Sequence, residues 1–182
     1  GITHTEKSRT WKRSNIDVNK LKGKVGFLKP TKEVFEFWDK MLEYAKILES
    51  RVIVIQLPES FFDKQENWYN AEKFFSNIER KDFEIGVELR GWKEESIKRF
   101  CKKFKVIDVC DLSFRLPTIK TKTLYFRLHG SYENRRINYY YKYSKRELKE
   151  IKEKIKKFKF KEAFVYFNNV YMLENSNQFL LL

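Results

Sequence analysis

Five runs of strand length, apolar over most of their span, alternate along this chain with segments of helical periodicity. The runs are RVIVIQLP (51–58), EIGVELR (84–90), VIDVCDL (106–112), LYFRLHG (124–130) and EAFVYFNN (162–169). Apolar side chains at successive strand positions point to both faces, so both faces need cover, as in a parallel sheet under helices. Between the runs, Val34, Trp38, Met41, Ala45 and Leu48 recur at helical spacing, with Pro30 and Thr31 as a start signal. Trp68, Ala71, Phe74, Phe75 and Ile78 mark a second helix, and Ile97, Phe100, Cys101 and Phe104 a third. Ser144 and Glu147 have capping-box spacing ahead of Leu148, Ile151, Ile155 and Phe158. LENSNQFLLL (173–182) suits a short closing helix. Strands alternating with helices predict an α/β protein, either a doubly wound sheet or a (β/α)8 barrel. With six glycines, neither a G-x-G-x-x-G fingerprint nor a P-loop is present.

At 182 residues the chain reads as one domain over 1–182, long enough to bury a sizeable core. No apolar run is long enough to cross a bilayer, and GITHTEKSRTWKR (1–13) has no apolar signal core. A cytoplasmic location without membrane partners is the default expectation. Cys101 falls on a helical stripe and Cys110 in a strand, both as small core residues. His4 and His129 are the only histidines, too few for a zinc-type cluster with these cysteines, and no metal or cofactor is expected. The net charge of +14 favours anionic partners. Much of it is lysine interleaved with glutamate on helix faces, as in KRELKEIKEKIKKFKFKE, and such faces are commonly solvated.

Every strand turns polar at its carboxyl end. Gln56 ends the first, Glu88 and Arg90 the second, Asp108 and Asp111 lie on the third, Arg127 and His129 end the fourth, and Asn168 and Asn169 end the fifth. Residues two apart on a strand share a face, so Glu88 pairs in direction with Arg90, and Arg127 with His129. Burying an arginine without a partner costs several kcal/mol. In parallel α/β folds the carboxyl ends of the strands face the ligand site, where such groups are tolerated.

ITH (2–4), VIQLPESF (54–61), VELRGW (87–92), LYFRLHG (124–130), YKYSKREL (141–148) and VYFNN (165–169) follow one another across nearly the whole chain. In these motifs and their order the chain resembles the YecE-like family, the domain of unknown function 72. The resemblance implies a (β/α)8 TIM barrel and no established reaction. It maps Thr3, His4, Gln56, Glu88, Arg90, Arg127, His129, Asn168 and Asn169 to the barrel mouth. In the family the ITH motif follows the third strand, so this chain is expected to hold about strands 4–8 plus the end of strand 3. It would then be an N-terminally truncated, incomplete barrel, as a fragment, a shortened reading frame or half of a split protein. A chain supplying the missing strands, or self-association, is the expected partner of its open edges.

Two functions follow from these residues. In the first, a hydrolase or lyase acts on an anionic small molecule bearing phosphate or carboxylate. His129 and Glu88 would be the catalytic acid/base residues. His4, Gln56, Arg90, Arg127, Asn168 and Asn169 would bind substrate. In the second, a non-catalytic protein binds nucleic acid through GSYENRRINYYYKYSK (130–145), using Arg135, Arg136, Tyr139, Tyr141 and Lys142. A loop packed by its own tyrosines is the competing reading of that segment.

Overall fold

The computed structural model describes residues 1–133 and 136–182. The chain forms two compact units, Gly1–Val106 and Ile107–Leu182.

In the first unit, the 3-10 turns Arg9–Arg13 and Val18–Leu21 precede helix α1 (Lys32–Ile47), strand β1 (Val52–Leu57), helix α2 (Gln65–Asn77), strand β2 (Glu84–Leu89) and helix α3 (Glu94–Phe104). The Thr31 side chain caps α1 by accepting from the Val34 N–H. The buried stripe of α1 is Val34, Trp38, Leu42 and Ala45. Met41, expected inside, is 40% exposed, and Leu48 lies past the helix end in solvent. Met41 and Leu42 lie three and four residues after Trp38, both bordering the stripe, and Leu42 is the one that packs inside. β1 and β2 pair in parallel, from Val52 opposite Glu84 to Leu57 opposite Leu89. Aromatic rings fill the space around the helices: Trp38 meets Phe74 at 5.6 Å between centroids, and Phe104 lies 4.8 Å from Phe75 and 4.6 Å from Phe100. The ITH segment is clipped to 26–28 by three backbone bonds, Gly26 N–H to Gly1 O, Leu28 N–H to Ile2 O and Phe27 N–H to Thr3 O.

The second unit holds strands β3 (Ile107–Asp108), β4 (Thr123–Leu128), β5 (Ser131–Glu133) and β6 (Arg136–Asn138), helix α4 (Lys145–Lys156), strand β7 (Glu162–Phe167) and helix α5 (Met172–Leu180). β4 and β7 pair in parallel from Thr123–Glu162 to Leu128–Phe167, and Cys110 bridges in parallel to Phe126 on the other side of β4. One face of this sheet packs on α4. Leu124, Phe126 and Leu128 share a cluster with Leu148, Ile151 and Ile155, joined by Ala163, Val165 and Phe167 from β7. Strand parity therefore turns Tyr125, Arg127, Phe164 and Tyr166 to the other face. α4 starts in a complete capping box between Ser144 and Glu147.

The (β/α)8 barrel implied by the resemblance, whole or incomplete, does not form. Among the described residues the sheets contain three, two and two strands, and none closes on itself. Closure of such a barrel takes eight staggered parallel strands. This chain supplies four six-residue parallel strands and the two-residue β3. The class is α/β, with small open sheets. The segment after Gly130, expected to be a loop, contains the antiparallel hairpin β5–β6, with Ser131 opposite Asn138 and Glu133 opposite Arg136.

Candidate functional site

The polar strand ends of the first unit gather around β1 and β2. Gln56 and Glu88 are register partners. Glu88 is buried, and its Oε1 accepts from Arg90 Nε at 2.7 Å. That bond holds the guanidinium on the carboxylate two residues back, the pairing that strand parity favours. His4, half-buried, has Nδ1 2.8 Å from the Thr3 hydroxyl. Burial first, then nearby positive charge including Arg90, lowers its pKa below the ordinary histidine value.

The second unit carries a tighter constellation. His129, just past the end of β4, is only 4% exposed. Its Nδ1 lies 3.2 Å from Asp111 Oδ2, and its backbone N–H donates to the same oxygen at 2.9 Å. Tyr132 O–H also reaches Oδ2, at 3.3 Å, while Oδ1 accepts from Ser113 N–H at 2.8 Å. A carboxylate accepts and does not donate, so Nδ1 carries its proton toward Asp111 and Nε2 is the ring's outward atom. One terminus of the Asn168 amide lies 3.4 Å from Nε2. The hydrogen-bond network assigns that terminus as oxygen, because it accepts from Arg127 Nη2 at 2.8 Å and Nε at 3.2 Å. In that orientation the Asn168 oxygen and the unprotonated Nε2 are both acceptors, so Asp111 with His129 and Asn168 with Arg127 are two hydrogen-bonded pairs placed side by side at the carboxyl end of the sheet. The Tyr139 ring stands edge-on to His129, with centroids 6.2 Å apart.

Behind these pairs, Tyr143 braces the backbone. Its hydroxyl accepts from Gly130 N–H at 2.9 Å, donates to Gly130 O at 3.0 Å and meets Ser113 Oγ at 3.0 Å. Burial, followed by the nearby Asp111 charge, pushes its pKa up to about 12. Tyr132 and Tyr143 also line a cavity of about 290 Å³ with Glu147 and Lys154. Asp108 serves the loop that follows it. Arg115 grips it through two nitrogens at 2.6 and 2.8 Å, and Thr118 adds its N–H and its hydroxyl.

Of the residues singled out in sequence, the structure brings together Arg127, His129 and Asn168 in this unit, and Gln56, Glu88 and Arg90 in the other. Asn169 goes elsewhere. Its amide donates to Tyr141 O and to Asn175 Oδ1, and Asn175 in turn bonds both backbone polar groups of Tyr143. Asn168 and Asn169 separate because neighbours on an extended strand point to opposite faces. Tyr141 bonds Glu147, and Lys142 pairs with Glu174 at 2.6 Å. Arg136 and Tyr139 are on or near the surface, and Arg135 lies outside the described residues. Asp111 was not among the candidate site residues. The one sequence signal for it was a carboxylate at the end of an apolar run. Among the described residues no group of three or more His, Cys, Asp or Glu side chains is placed to hold a metal ion. No helix of the described residues is long and apolar enough to cross a membrane.

The family model described as a protein of unknown function, DUF72, matches residues 1–179. The chain belongs to the DUF72 family. Two crystal structures of DUF72 proteins resemble this one. That from Thermotoga maritima MSB8 is 26% identical, with a TM-score of 0.62 over 82% of this chain and 64% of its own. That from Enterococcus faecalis V583 is 22% identical, with a TM-score of 0.66 and the same coverage of 82% and 64%, and shares the fold. The DUF72 chain therefore spans just under two thirds of the length of either structure. No curated protein matches it.

Proposed function

We propose that this DUF72 chain carries an acid–base site for an anionic substrate at the carboxyl end of the β4–β7 sheet, with His129 as the proton-transfer group. The observation that supports it is the buried His129 ring, held by Asp111 at Nδ1 with Nε2 beside the Asn168–Arg127 pair. A carboxylate behind one ring nitrogen orients the other toward substrate and stabilises the imidazolium when it forms. Arg127 supplies positive charge next to Nε2, where the anionic group of a substrate would sit. A hydrolase or lyase acting on a phosphate- or carboxylate-bearing substrate fits these roles.

The reading is tested with inorganic phosphate and p-nitrophenyl phosphate as probes. Phosphate binding is measured by calorimetry and ester turnover by release of the phenolate. Arg127→Gln is expected to weaken phosphate binding about ten-fold or more. His129→Gln is expected to leave binding within a factor of about three and to abolish turnover, in the range of loss typical for an acid–base group. A wild-type chain that binds no phosphate, or a His129→Gln variant with unchanged turnover, overturns it.

A further inference from the structure

The β4–β7 sheet presents one packed face and one face that helix α4 does not cover. On that second face, the Tyr125 and Tyr166 rings stack at 5.1 Å with 18° between planes. Phe164 lies 5.7 Å from Tyr125 and extends the aromatic row. Tyr166 is 47% exposed although it lies within a paired strand. Burial, followed by the Tyr166 hydroxyl beside it, pushes the Tyr125 phenol above its ordinary range, so that ring stays neutral at physiological pH. Arg127 is the register partner of Tyr166. Asn168, two residues beyond Tyr166, bonds Arg127, and His129 follows at the same end.

Along one face, then, run a stacked aromatic pair, a guanidinium and a histidine. With Tyr166 beside Arg127 on the neighbouring strand, Tyr125 and Arg127 are successive same-face positions on β4, roughly 7 Å apart. That is about the separation of a nucleobase from its own phosphate. Neutral aromatic faces stack any base, and an adjacent arginine neutralises the phosphate. The net charge of +14 supplies the long-range attraction for such a ligand. Three tyrosines of the 130–145 segment are engaged in structural bonds. Tyr132 bonds Asp111, Tyr141 bonds Glu147 and Tyr143 braces Gly130.

We infer that the Tyr125–Tyr166 face is a nucleobase platform, so that the substrate of the His129 site is a nucleoside monophosphate unit, free or within a single strand. The base stacks on the Tyr125–Tyr166 pair and the phosphate lies at Arg127. This rests on the acid–base reading of the site and adds to it the class of substrate.

The test compares AMP, ribose 5-phosphate, inorganic phosphate and a single-stranded oligoadenylate, with binding to the intact chain followed by calorimetry and tyrosine fluorescence. AMP is expected to bind about ten-fold or more tighter than ribose 5-phosphate, the range that one stacked base contributes. Tyr166→Ala is expected to erase that difference, weakening AMP about ten-fold more than it weakens ribose 5-phosphate, because only AMP carries the stacked base. Tyr166→Phe keeps a flat ring and is expected to keep the difference. The two sources of the unit separate by salt. A strand bound through several phosphates weakens steeply as salt rises and a single nucleotide weakens little, and either result supports the platform. Equal binding of AMP and ribose 5-phosphate to the wild type overturns the inference while leaving the anion site standing. Failure of all four ligands overturns both. A chain that binds none of them but self-associates through Tyr166 assigns the face to a polypeptide and likewise overturns it.

Discussion

His129 and Asp111, eighteen residues apart, share one carboxylate oxygen through two bonds: the ring Nδ1 at 3.2 Å and the backbone N–H at 2.9 Å. The double contact fixes the ring orientation and the chain path at once. Asp111→Ala removes the acceptor for four donors, those of His129 N and Nδ1, Tyr132 and Ser113. An expected loss of about 2–4 kcal/mol follows from buried donors left without acceptors. Asp111→Asn, which keeps an oxygen, is expected to lose less. Urea denaturation of the two variants checks the order, and equal stability of Asp111→Ala and wild type removes Asp111 from its positioning role.

Tyr143→Phe tests the brace behind the site. The Gly130 N–H and Ser113 hydroxyl lose a partner in a buried place, at a cost of roughly 1–3 kcal/mol. The same group predicts an alkaline limit. Its pKa is about 12 in the folded chain against an ordinary 10.0. A raised folded value means that the neutral form is favoured by folding. The stability it contributes is whole below pH 10.0 and is lost as pH rises through about 12. Denaturation curves between those values are expected to fall more gently for Tyr143→Phe than for the wild type.

Glu147 predicts the opposite window. Burial alone would raise its pKa, but hydrogen bonds from Ser144 and Tyr141 outweigh it and hold the carboxyl below 4.5. A lowered folded value contributes stability above 4.5 that is lost as pH falls through the folded pKa. Glu147→Gln is expected to flatten the acid limb of the stability profile. Ser144→Ala breaks the other half of the capping box, at about 1 kcal/mol. Helix content and denaturation midpoints measured from neutral to acid pH check both, and an unaltered acid limb in Glu147→Gln would discard the assignment.

Gly130 follows His129 with φ +111, a conformation that L side chains rarely adopt. A Cβ there would also run into the Asn138 carbonyl oxygen of β6. Gly130→Ala is expected to cost about 2–3 kcal/mol from the backbone conformation and more from the collision. It displaces His129 with it, so phosphate binding falls together with stability. A variant as stable as the wild type shows that the hairpin yields.

The strands, helices and caps were legible along the chain because each depends on neighbours in sequence. Thr31 and Ser144 cap the helices that their spacing announced, and VIVIQL, EIGVEL, TLYFRL and EAFVYF are the long strands. Parity put Arg127 on the face opposite Phe126 and Leu128, and the structure shows that α4 covers the face of that pair. The sequence on its own determined this much, together with the family, since motifs in order survive any uncertainty in packing. Only the tertiary structure decided that Asp111 is the partner of His129, that Asn169 serves Asn175 and Tyr143, and that Leu42 displaces Met41 from the core. It also decided that the strands stop at small open sheets. Pairing between residues far apart depends on strand register and on how many strands meet, and both are properties of the assembled chain that local periodicity does not encode.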